Sequence, residues 1–244
     1  MDKPLISVIT ITYNAAAELP ATIKSINEQT YPNFEHLIID GASKDNTLEI
    51  ARRNPDARII SEKDKGLYDA MNKGLRMAEG KYLIFLNAGD TFRSPETLSR
   101  YAEAAGKDYD IIYGDTMIVD KTGEDIAPRH HSAPDILTYE SFSHGMLICH
   151  QAFMVKKSIA PLYDLSYRFS ADYDWTVKCI AATKPSSCCN LREVTINYLS
   201  DGLTDNNKIK SLKERFRIMC KHYGTIKTLS SHAGMIIKHL KKKI

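Results

Sequence analysis

The stretch that decides the fold is ISVITITYN, residues 6–14, a run of β-branched residues that ends in an aromatic and an amide side chain. β-Branched residues favour strands and Asn favours turns, so this stretch predicts a strand over Leu5–Thr12 followed by a turn. Apolar residues at helical spacing begin soon afterwards, over Leu19–Ile26. The chain therefore opens with a strand, a turn and a helix.

The same alternation of strand and helix continues through the first half of the chain. The elements predicted there are strands at His36–Ile39, Ala57–Ser61 and Tyr82–Leu86, a helix through Leu48 and Ile50 that is capped by Ser43 or Asp45, and a helix at Leu67–Met77. Strands that alternate with helices imply right-handed crossovers and parallel pairing. The fold class predicted is therefore α/β, with a mostly parallel central sheet flanked by helices.

The second half carries fewer strand signals and ends in helices. Its predicted elements are helices at Pro95–Ala105, Ala171–Ala182 and Lys208–His222, and strands at Ile111–Val119, Ala152–Val155 and Val194–Leu199, with a hairpin turn at 121–124. A polar stretch near Asp201 marks the one shift in composition. We therefore predict one α/β domain over residues 1–205 and C-terminal basic amphipathic helices over 206–244.

Composition narrows the functional classes. The chain has 244 residues with 33 basic and 30 acidic side chains, a net charge of +3, which argues against bulk binding of nucleic acid. No apolar run approaches a membrane span, and no leader peptide is evident. Five cysteines without a CxxC pair indicate reduced thiols, so we expect a cytoplasmic protein.

Polar clusters follow each of the four predicted strands of the first half. They are Thr12-Tyr13-Asn14, Asp40-Gly41-Ala42-Ser43, residues 62–66 and Asn87-Ala88-Gly89-Asp90. Ligands of open α/β sheets bind beyond the carboxyl ends of the strands, where these clusters fall. Each cluster alone is ordinary turn chemistry, but four at one edge predict a polar pocket of nucleotide size.

The common nucleotide and hydrolase motifs are missing. No GxGxxG follows the first strand, residues 74–82 do not fit a P-loop, and neither HExxH nor GxSxG occurs. A dehydrogenase, a zinc protease and an ordinary α/β-hydrolase are thereby disfavoured. The phosphates of a bound nucleotide must then be held by a metal ion, a lysine or scattered backbone groups.

Four motifs in order carry a resemblance to a known family. They are residues 6–14, DGASKDNT at 40–47, DKGLYDAMNKG at 64–74 and LNAGD at 86–90. Together they resemble family 2 glycosyltransferases, which have the GT-A fold, and the third motif is typical of bacterial members that build surface polysaccharides. The resemblance spans roughly residues 4–200. It implies inverting transfer of a sugar from a nucleoside-diphosphate donor, a UDP-sugar first of all, to a hydroxyl of a saccharide or lipid-linked acceptor.

The resemblance also assigns residues to the donor. Those placed at the nucleotide sugar are Thr12, Tyr13, Asn14, Asp40, Ser43, Asp64, Lys65, Asn72 and Asn87. Within this set Asp40 would accept a hydrogen bond from the base, which suits the imide N–H of uracil. Lys65 would offset phosphate charge. The alternatives are a turn residue for Asp40, a solvated lysine for Lys65 and a structural amide for Asn72.

A divalent metal ion, Mn²⁺ or Mg²⁺, is the cofactor that the resemblance implies. The family usually supplies an Asp-x-Asp motif, whereas this chain has Asn87 and Gly89 in those places and keeps Asp90 next to them. One carboxylate is enough for a hard cation that takes its other ligands from phosphates and water. We therefore predict Asp90 as the metal ligand, the alternative being a cap for the helix that starts near Pro95.

The catalytic base is expected at the start of a late helix. Ser170-Ala171-Asp172-Tyr173-Asp174-Trp175 occupies the place of the family's acidic helix start, and Ala171 replaces a glutamate there. Asp172 matches the base position and Asp174 is the close rival. Both acids also suit the first turn of a helix for electrostatic reasons. The pair His150-Gln151 resembles one that stands near the acceptor and phosphates in similar proteins.

The C-terminal helices combine an apolar stripe with lysines. Ile209 and Leu212 begin one apolar stripe. A second apolar stripe runs from Ile226 to Leu240, and the lysines Lys241-Lys242-Lys243 follow it. A basic amphipathic helix is typical of membrane-surface contact, which would suit a lipid-linked acceptor and a peripheral location at the inner face of the membrane. The alternatives are packing onto the core and packing onto a second subunit in a homodimer.

Two other functional classes remain open from the residues. A sugar nucleotidyltransferase needs a basic glycine-rich loop after the first strand, where this chain has Ala15-Ala16-Ala17-Glu18. A non-catalytic module that binds nucleotide sugars would keep Tyr13 and Asp40 without needing Asp90 or Asp172.

Overall fold

The computed structural model describes residues 4–200 and 208–232. The strands are β1 Ile6–Thr12, β2 Phe34–Asp40, β3 Ala57–Ser61, β4 Tyr82–Phe85, β5 Thr91–Phe92, β6 Ile111–Val119, β7 Asp125–Pro128, β8 Phe153–Lys156 and β9 Cys188–Leu199. The helices are α1 Leu19–Asn27, α2 Thr47–Arg52, α3 Leu67–Met77, α4 Thr97–Gly106, α5 Ala171–Ala181 and α6 Lys208–Tyr223, and a further helical segment occupies residues 225–232. The helices and long strands predicted from the sequence are thus confirmed.

Within the described residues, all nine strands join one sheet in the order β3-β2-β1-β4-β8-β6-β9-β5, with β7 paired to β6. The pairs among β3, β2, β1 and β4 are parallel, as the alternating pattern predicts. Beyond β4 the sheet is mixed, because β8 is antiparallel to both β4 and β6, while β6 and β9 are parallel. The parallel half therefore brings the carboxyl ends of four strands to one edge.

The central strands are buried on both faces because helices cover both sides of the sheet. Alternate residues of β1 enter different cores, with Ile9 and Ile11 in a cluster that includes α3 and α5. Ile6 and Val8 enter the second cluster, which includes side chains of α1 and α4. This two-sided burial explains why the apolar residues of β1 point to both faces of the sheet instead of alternating strictly with polar ones.

Close packing of α3 on β1 depends on a glycine. A Cβ added at Gly74 would lie 2.5 Å from Cγ2 of Ile9, a distance that real side chains do not tolerate. Only a residue without a side chain lets the helix approach the strand this closely. Because α3 begins directly after the third polar cluster, this packing fixes the cluster relative to the ends of β1 and β2.

The C-terminal helices are partly described. Ile218 and Met219 of α6 are buried in the core cluster that contains α5, so α6 packs on the α/β domain. The predicted domain boundary at 205/206 and the lysines at 241–243 lie outside the described residues. Among the helices of residues 4–200 and 208–232, none combines the length and apolar character that crossing a bilayer requires.

Candidate active site

The loops after β1 and β2 are tied together by hydrogen bonds. The backbone N–H of Asn14 donates to Oγ of Ser43 at 2.8 Å, and Oδ1 of Asn14 accepts from the N–H of Lys44 at 2.8 Å. Asn14 has a φ of 48°, a conformation that Asn tolerates better than most residues. The first two polar clusters therefore form one rigid rim.

Asp40 lies beneath this rim and is fully buried. Its carboxylate accepts hydrogen bonds from the N–H of Ser43 at 3.1 Å and from Oγ of Ser61 at 2.6 Å, and also from Oγ of Ser43. These contacts hold the loop after β2 in shape. The predicted contact between Asp40 and a base stays a prediction, and it requires part of this network to rearrange.

Another part of the rim is formed by Tyr13, Gly41 and Asp64. The side chain of Tyr13 is 60% exposed. A Cβ at Gly41 would lie 2.8 Å from Oδ2 of Asp64 and 3.1 Å from Cδ2 of Tyr13, so the three residues meet at one point. Burial raises the pKa of Asp64, although its ion pair with Lys73 opposes this effect. An aromatic face beside a carboxylate is a suitable surface for a nucleoside.

Asn72 and Lys65, two of the residues predicted to contact the nucleotide sugar, are not among the three residues that meet at this point of the rim. Asn72 is buried, and its amide exchanges two hydrogen bonds with the backbone of Tyr163, at 3.0 and 2.7 Å. Both polar groups of the Asn72 side chain are thus occupied, and the geometry supports the structural alternative rather than donor binding. Lys65 is exposed at the start of the segment that leads into α3.

Asp90 stands in the turn after β4 and is buried. Its Oδ2 accepts from Nε2 of Gln151 at 2.9 Å, and its Oδ1 accepts from the N–H of Leu199 at 3.1 Å. Burial raises the pKa of Asp90 to about 7, although these two hydrogen bonds oppose the shift. Gln151 accepts in turn from Sγ of Cys149 at 2.8 Å. The carboxylate is therefore held in one orientation.

The turn after β4 fits a divalent cation. Oδ1 of Asn87 is buried and has no hydrogen-bond partner among the described residues, and the Asp90 carboxylate belongs to the same turn. Oxygen ligands of this kind suit Mn²⁺ or Mg²⁺. Within the described chain, no three His, Cys, Asp or Glu side chains form a complete metal-binding set. The diphosphate and water would therefore have to supply the remaining ligands.

Asp172 and Asp174 differ sharply in their surroundings. Asp172, in the first turn of α5, is half-buried and accepts a hydrogen bond from the hydroxyl of Tyr68 at 3.1 Å. Asp174 is fully buried, forms an ion pair with Lys178 at 2.5 Å and shares a hydrogen bond with Nε2 of His222 of α6 at 2.8 Å. Burial alone would raise the pKa of Asp174, but these partners outweigh it and lower the pKa. These contacts favour a structural role for Asp174, and the choice of Asp172 as the base stays a prediction.

His150 links the Asp90 turn to the Asp172 region. It precedes Gln151, the partner of Asp90, and its ring lies 5.7 Å from the ring of Phe85 at the end of β4. Burial lowers the pKa of His150, and the charge of Asp172 acts against this shift. Its Nε2 is buried without a hydrogen-bond partner in the described chain. Asp90, His150 and Asp172 therefore belong to one region.

The structure thus brings most of the predicted residues to one edge of the sheet. The path runs from Tyr13 and Asp64 through Tyr68 at the start of α3 to Asp172, and on through His150 to Asp90. Tyr68 and Gln151 were not assigned roles from the sequence. Tyr68 belongs to the 64–74 motif and Gln151 to the His-Gln pair, so both signals were present, but only the fold shows which acid each one contacts.

This fold and this polar edge define a glycosyltransferase of the GT-A type, and comparison with known proteins identifies the family. Residues 7–161 match the model of "Glycosyl transferase family 2". A PGL/p-HBAD biosynthesis glycosyltransferase of Mycobacterium tuberculosis is 38% identical over 192 residues, which cover 74% of this chain and 72% of that protein. An uncharacterized glycosyltransferase of Methanocaldococcus jannaschii is 32% identical over 196 residues, covering 74% of this chain and 66% of that protein. The chain belongs to glycosyl transferase family 2.

Solved structures agree on the fold. S. aureus TarS 1–349 in complex with UDP superposes with a TM-score of 0.71 at 18% identity, covering 89% of this chain and 64% of that chain. The mannosyltransferase PcManGT from Pyrobaculum calidifontis, in complex with GDP-Man and Mn²⁺, gives a TM-score of 0.62 at 16% identity and covers 97% of this chain and 76% of that chain. The predicted GT-A fold is confirmed.

Proposed function

We propose that this glycosyltransferase moves a sugar from a UDP-sugar to a hydroxyl of a saccharide or lipid-linked acceptor, with inversion, in polysaccharide biosynthesis. The observation that carries the proposal is the position of Asp172, a half-exposed carboxylate held by Tyr68 in the region of Asp90 and His150. In this proposal Asp172 is the base and Asp90 marks the diphosphate site, and single displacement requires the two to face the same sugar. A nucleoside-binding module alone would not need Asp172 in this place.

Each residue has a distinct task in the proposed reaction. Tyr13 and Asp64 flank the nucleoside, and Asp40 and Ser43 hold the loop after β2, to which the Tyr13 loop is bonded through Asn14. Asp90 and Asn87 would hold a divalent cation, which neutralises the leaving diphosphate when bound. Asp172 takes the proton of the acceptor hydroxyl as the hydroxyl oxygen forms its bond to C1 of the sugar and the bond between C1 and the diphosphate oxygen breaks. Tyr68 keeps the Asp172 carboxylate in place.

The donor is tested by thermal unfolding with nucleotides. We expect UDP with Mn²⁺ to raise Tm, because a ligand at 100 times its Kd stabilises the folded state by about 2.7 kcal/mol. The rise in Tm is compared with that produced by UDP without Mn²⁺ and by GDP, dTDP or UTP with Mn²⁺. Tyr13→Ala, at an exposed position, should reduce the rise without lowering the Tm of the unliganded protein. Preference for UTP would favour the nucleotidyltransferase alternative, and no response to any nucleotide would contradict the proposal.

We further propose that α6 contacts an anionic membrane surface, where a lipid-linked acceptor would be presented. Ile209 and Leu212 are 72% and 59% exposed on this helix, and the exposed cations Lys210, Lys213 and Arg217 lie beside them. Exposed apolar side chains flanked by cations suit the boundary between anionic headgroups and acyl chains. Other residues of the predicted stripe behave differently, since Met219 is buried in the core.

Co-sedimentation with lipid vesicles tests this contact. We expect the protein to bind vesicles that contain phosphatidylglycerol and not vesicles of phosphatidylcholine alone, because the attraction is partly electrostatic. Replacing Ile209 and Leu212 with Asp should abolish binding, while replacing exposed Glu103 of α4 with Gln should leave it unchanged. The proposed membrane contact would be contradicted if the double variant Ile209→Asp, Leu212→Asp bound vesicles as well as the native chain, or if the native chain did not bind anionic vesicles.

A further inference from the structure

The segment that leads into α5 is held by a carboxylate from another helix. Glu214 of α6 accepts three backbone hydrogen bonds, from the N–H groups of Arg168 at 2.8 Å, Phe169 at 2.7 Å and Ser170 at 2.7 Å. Bonds from N–H groups to an ionised acceptor are shorter and stronger than neutral ones. Glu214 therefore fixes three successive peptide groups that come directly before α5.

This fixation matters because α5 has no local cap. Ser170 occupies the N-cap position, but its side chain makes no capping hydrogen bond to the helix. It is instead hydrogen-bonded to Oγ of Ser211, one turn before Glu214, at 3.0 Å. In this protein α6 fixes the residues that lead into the helix. Ser211 bonds to the Ser170 side chain, and Glu214 accepts from the N–H groups of residues 168–170.

Asp172 stands two residues after the last of these peptide groups. Its place therefore depends on how residues 168–170 enter the helix, and Glu214 sets that entry from 44 to 46 positions away in the chain. We infer that Glu214 is a positioning residue that holds Asp172 in its reactive place without contacting the substrate. The inference rests on the proposed role of Asp172 as the base.

A second link between the two helices acts on the other side of Asp172. Asp174, which is fully buried, pairs with His222 near the end of α6. Asp172 is thus bracketed by contacts to α6 at 168–170 and at 174. Displacement of a reacting group by about 1 Å can lower turnover about a hundredfold, so a rigid bracket is of direct value for catalysis.

The experiment compares Glu214→Gln, Glu214→Asp and the exposed control Glu103→Gln of α4. Gln keeps the size of the side chain, but it directs an N–H group at donors and can no longer accept all three hydrogen bonds. We expect Glu214→Gln to lower kcat about tenfold to a hundredfold with little change in donor KM, since only the geometry of the base is altered. Glu214→Asp should recover part of the loss, and Glu103→Gln should behave as the native chain.

Activity is measured as UDP release from a panel of UDP-sugars with Mn²⁺, with water as the acceptor. Hydrogen exchange of the amides at 168–172 supplies a readout that needs no turnover, and Glu214→Gln should speed it. Unchanged exchange, or a loss confined to donor KM, would overturn the inference. Where Glu214→Gln does not fold, Glu214→Asp and Ser211→Ala are measured in the same way.

A double variant separates this inference from the proposed function. If Glu214 acts through Asp172, adding Glu214→Gln to Asp172→Asn should cause no further loss of kcat, because residues that act as a unit are not additive. A further full loss would show that Glu214 acts independently of Asp172. Native activity of Asp172→Asn alone would instead refute the proposed base. Native activity of Glu214→Gln beside an inactive Asp172→Asn would refute only the positioning role.

Discussion

Replacement of Asp172 by Asn should lower sugar transfer about a hundredfold to ten-thousandfold, the range that a general base contributes. Asn has the same size and its carbonyl oxygen can still accept the hydrogen bond from Tyr68, so the start of α5 should be preserved. What the amide cannot do is take the proton of the acceptor hydroxyl. We therefore expect kcat to fall while Tm and the affinity for UDP with Mn²⁺ stay at native values. Steady-state kinetics and calorimetry measure these two quantities.

The matched control for Asp172 is Asp174→Asn, two residues later in the same helix. Asp174 is fully buried between Lys178 and His222, so its neutralisation removes the ion pair with Lys178 and weakens the contact with His222 without touching a position open to the acceptor. We expect this variant to lose Tm and to keep much more activity per folded molecule than Asp172→Asn. The reverse pattern, with Asp174→Asn inactive and stable, would assign the base to Asp174.

The contrast between these two acids shows where sequence reasoning stops. Both lie in the first turn of a helix, and helix electrostatics favours an acid at either position equally. What separates them is the partner each one meets, and that partner comes from α3 for Asp172 and from α6 for Asp174. Contacts between elements far apart in the chain are not encoded in local spacing, so the choice between the acids needed the fold.

The parallel half of the sheet was predictable for the opposite reason. The strand and helix signals at residues 6–86 are local. The run of β-branched residues predicts β1, whose residues are all buried. The polar clusters could be placed at one edge because parallel strands present their carboxyl ends together. The mixed pairing of β8 and β9 could not be predicted in this way, since it depends on contacts between strands that are far apart in the chain.

Asp40 and Asn72 show a second limit. Their residue types suit ligand binding and structural support equally well, and only burial distinguishes the two. Asn72 is occupied by the backbone of Tyr163, and Asp40 by Ser43 and Ser61. A motif specifies a residue type at a position. It does not specify whether that residue contacts the ligand or holds the loop at the binding site.

Asp90→Asn should make the unliganded protein more stable at pH 8 while removing its response to Mn²⁺. Burial raises the pKa of Asp90 to about 7 in the folded protein, whereas its ordinary value is 3.8. Above pH 7 the carboxylate is ionised at a cost of about 4 kcal/mol to folding, since each pKa unit corresponds to about 1.4 kcal/mol. Asn carries no charge and avoids that cost. Its amide can keep both hydrogen bonds if the amide of Gln151 rotates.

The sign of the pH dependence follows from the raised pKa. Below about pH 4 the carboxyl is protonated in both the folded and the unfolded chain, so the native protein carries no penalty and the two proteins should be equally stable. The penalty grows between pH 4 and pH 7 and is complete above pH 7. Urea unfolding at pH 8 and pH 5 should therefore show a larger stability difference at pH 8.

The same variant tests the metal ligand. Without the carboxylate, the rise in Tm that UDP produces with Mn²⁺ should shrink to the rise produced by UDP alone. Stabilisation of the free protein together with loss of the Mn²⁺ response would mean that the native chain keeps a buried charge because the bound cation needs it. An Asp90→Asn protein that is less stable at pH 8 and still responds fully to Mn²⁺ would show that Asp90 serves only the turn after β4.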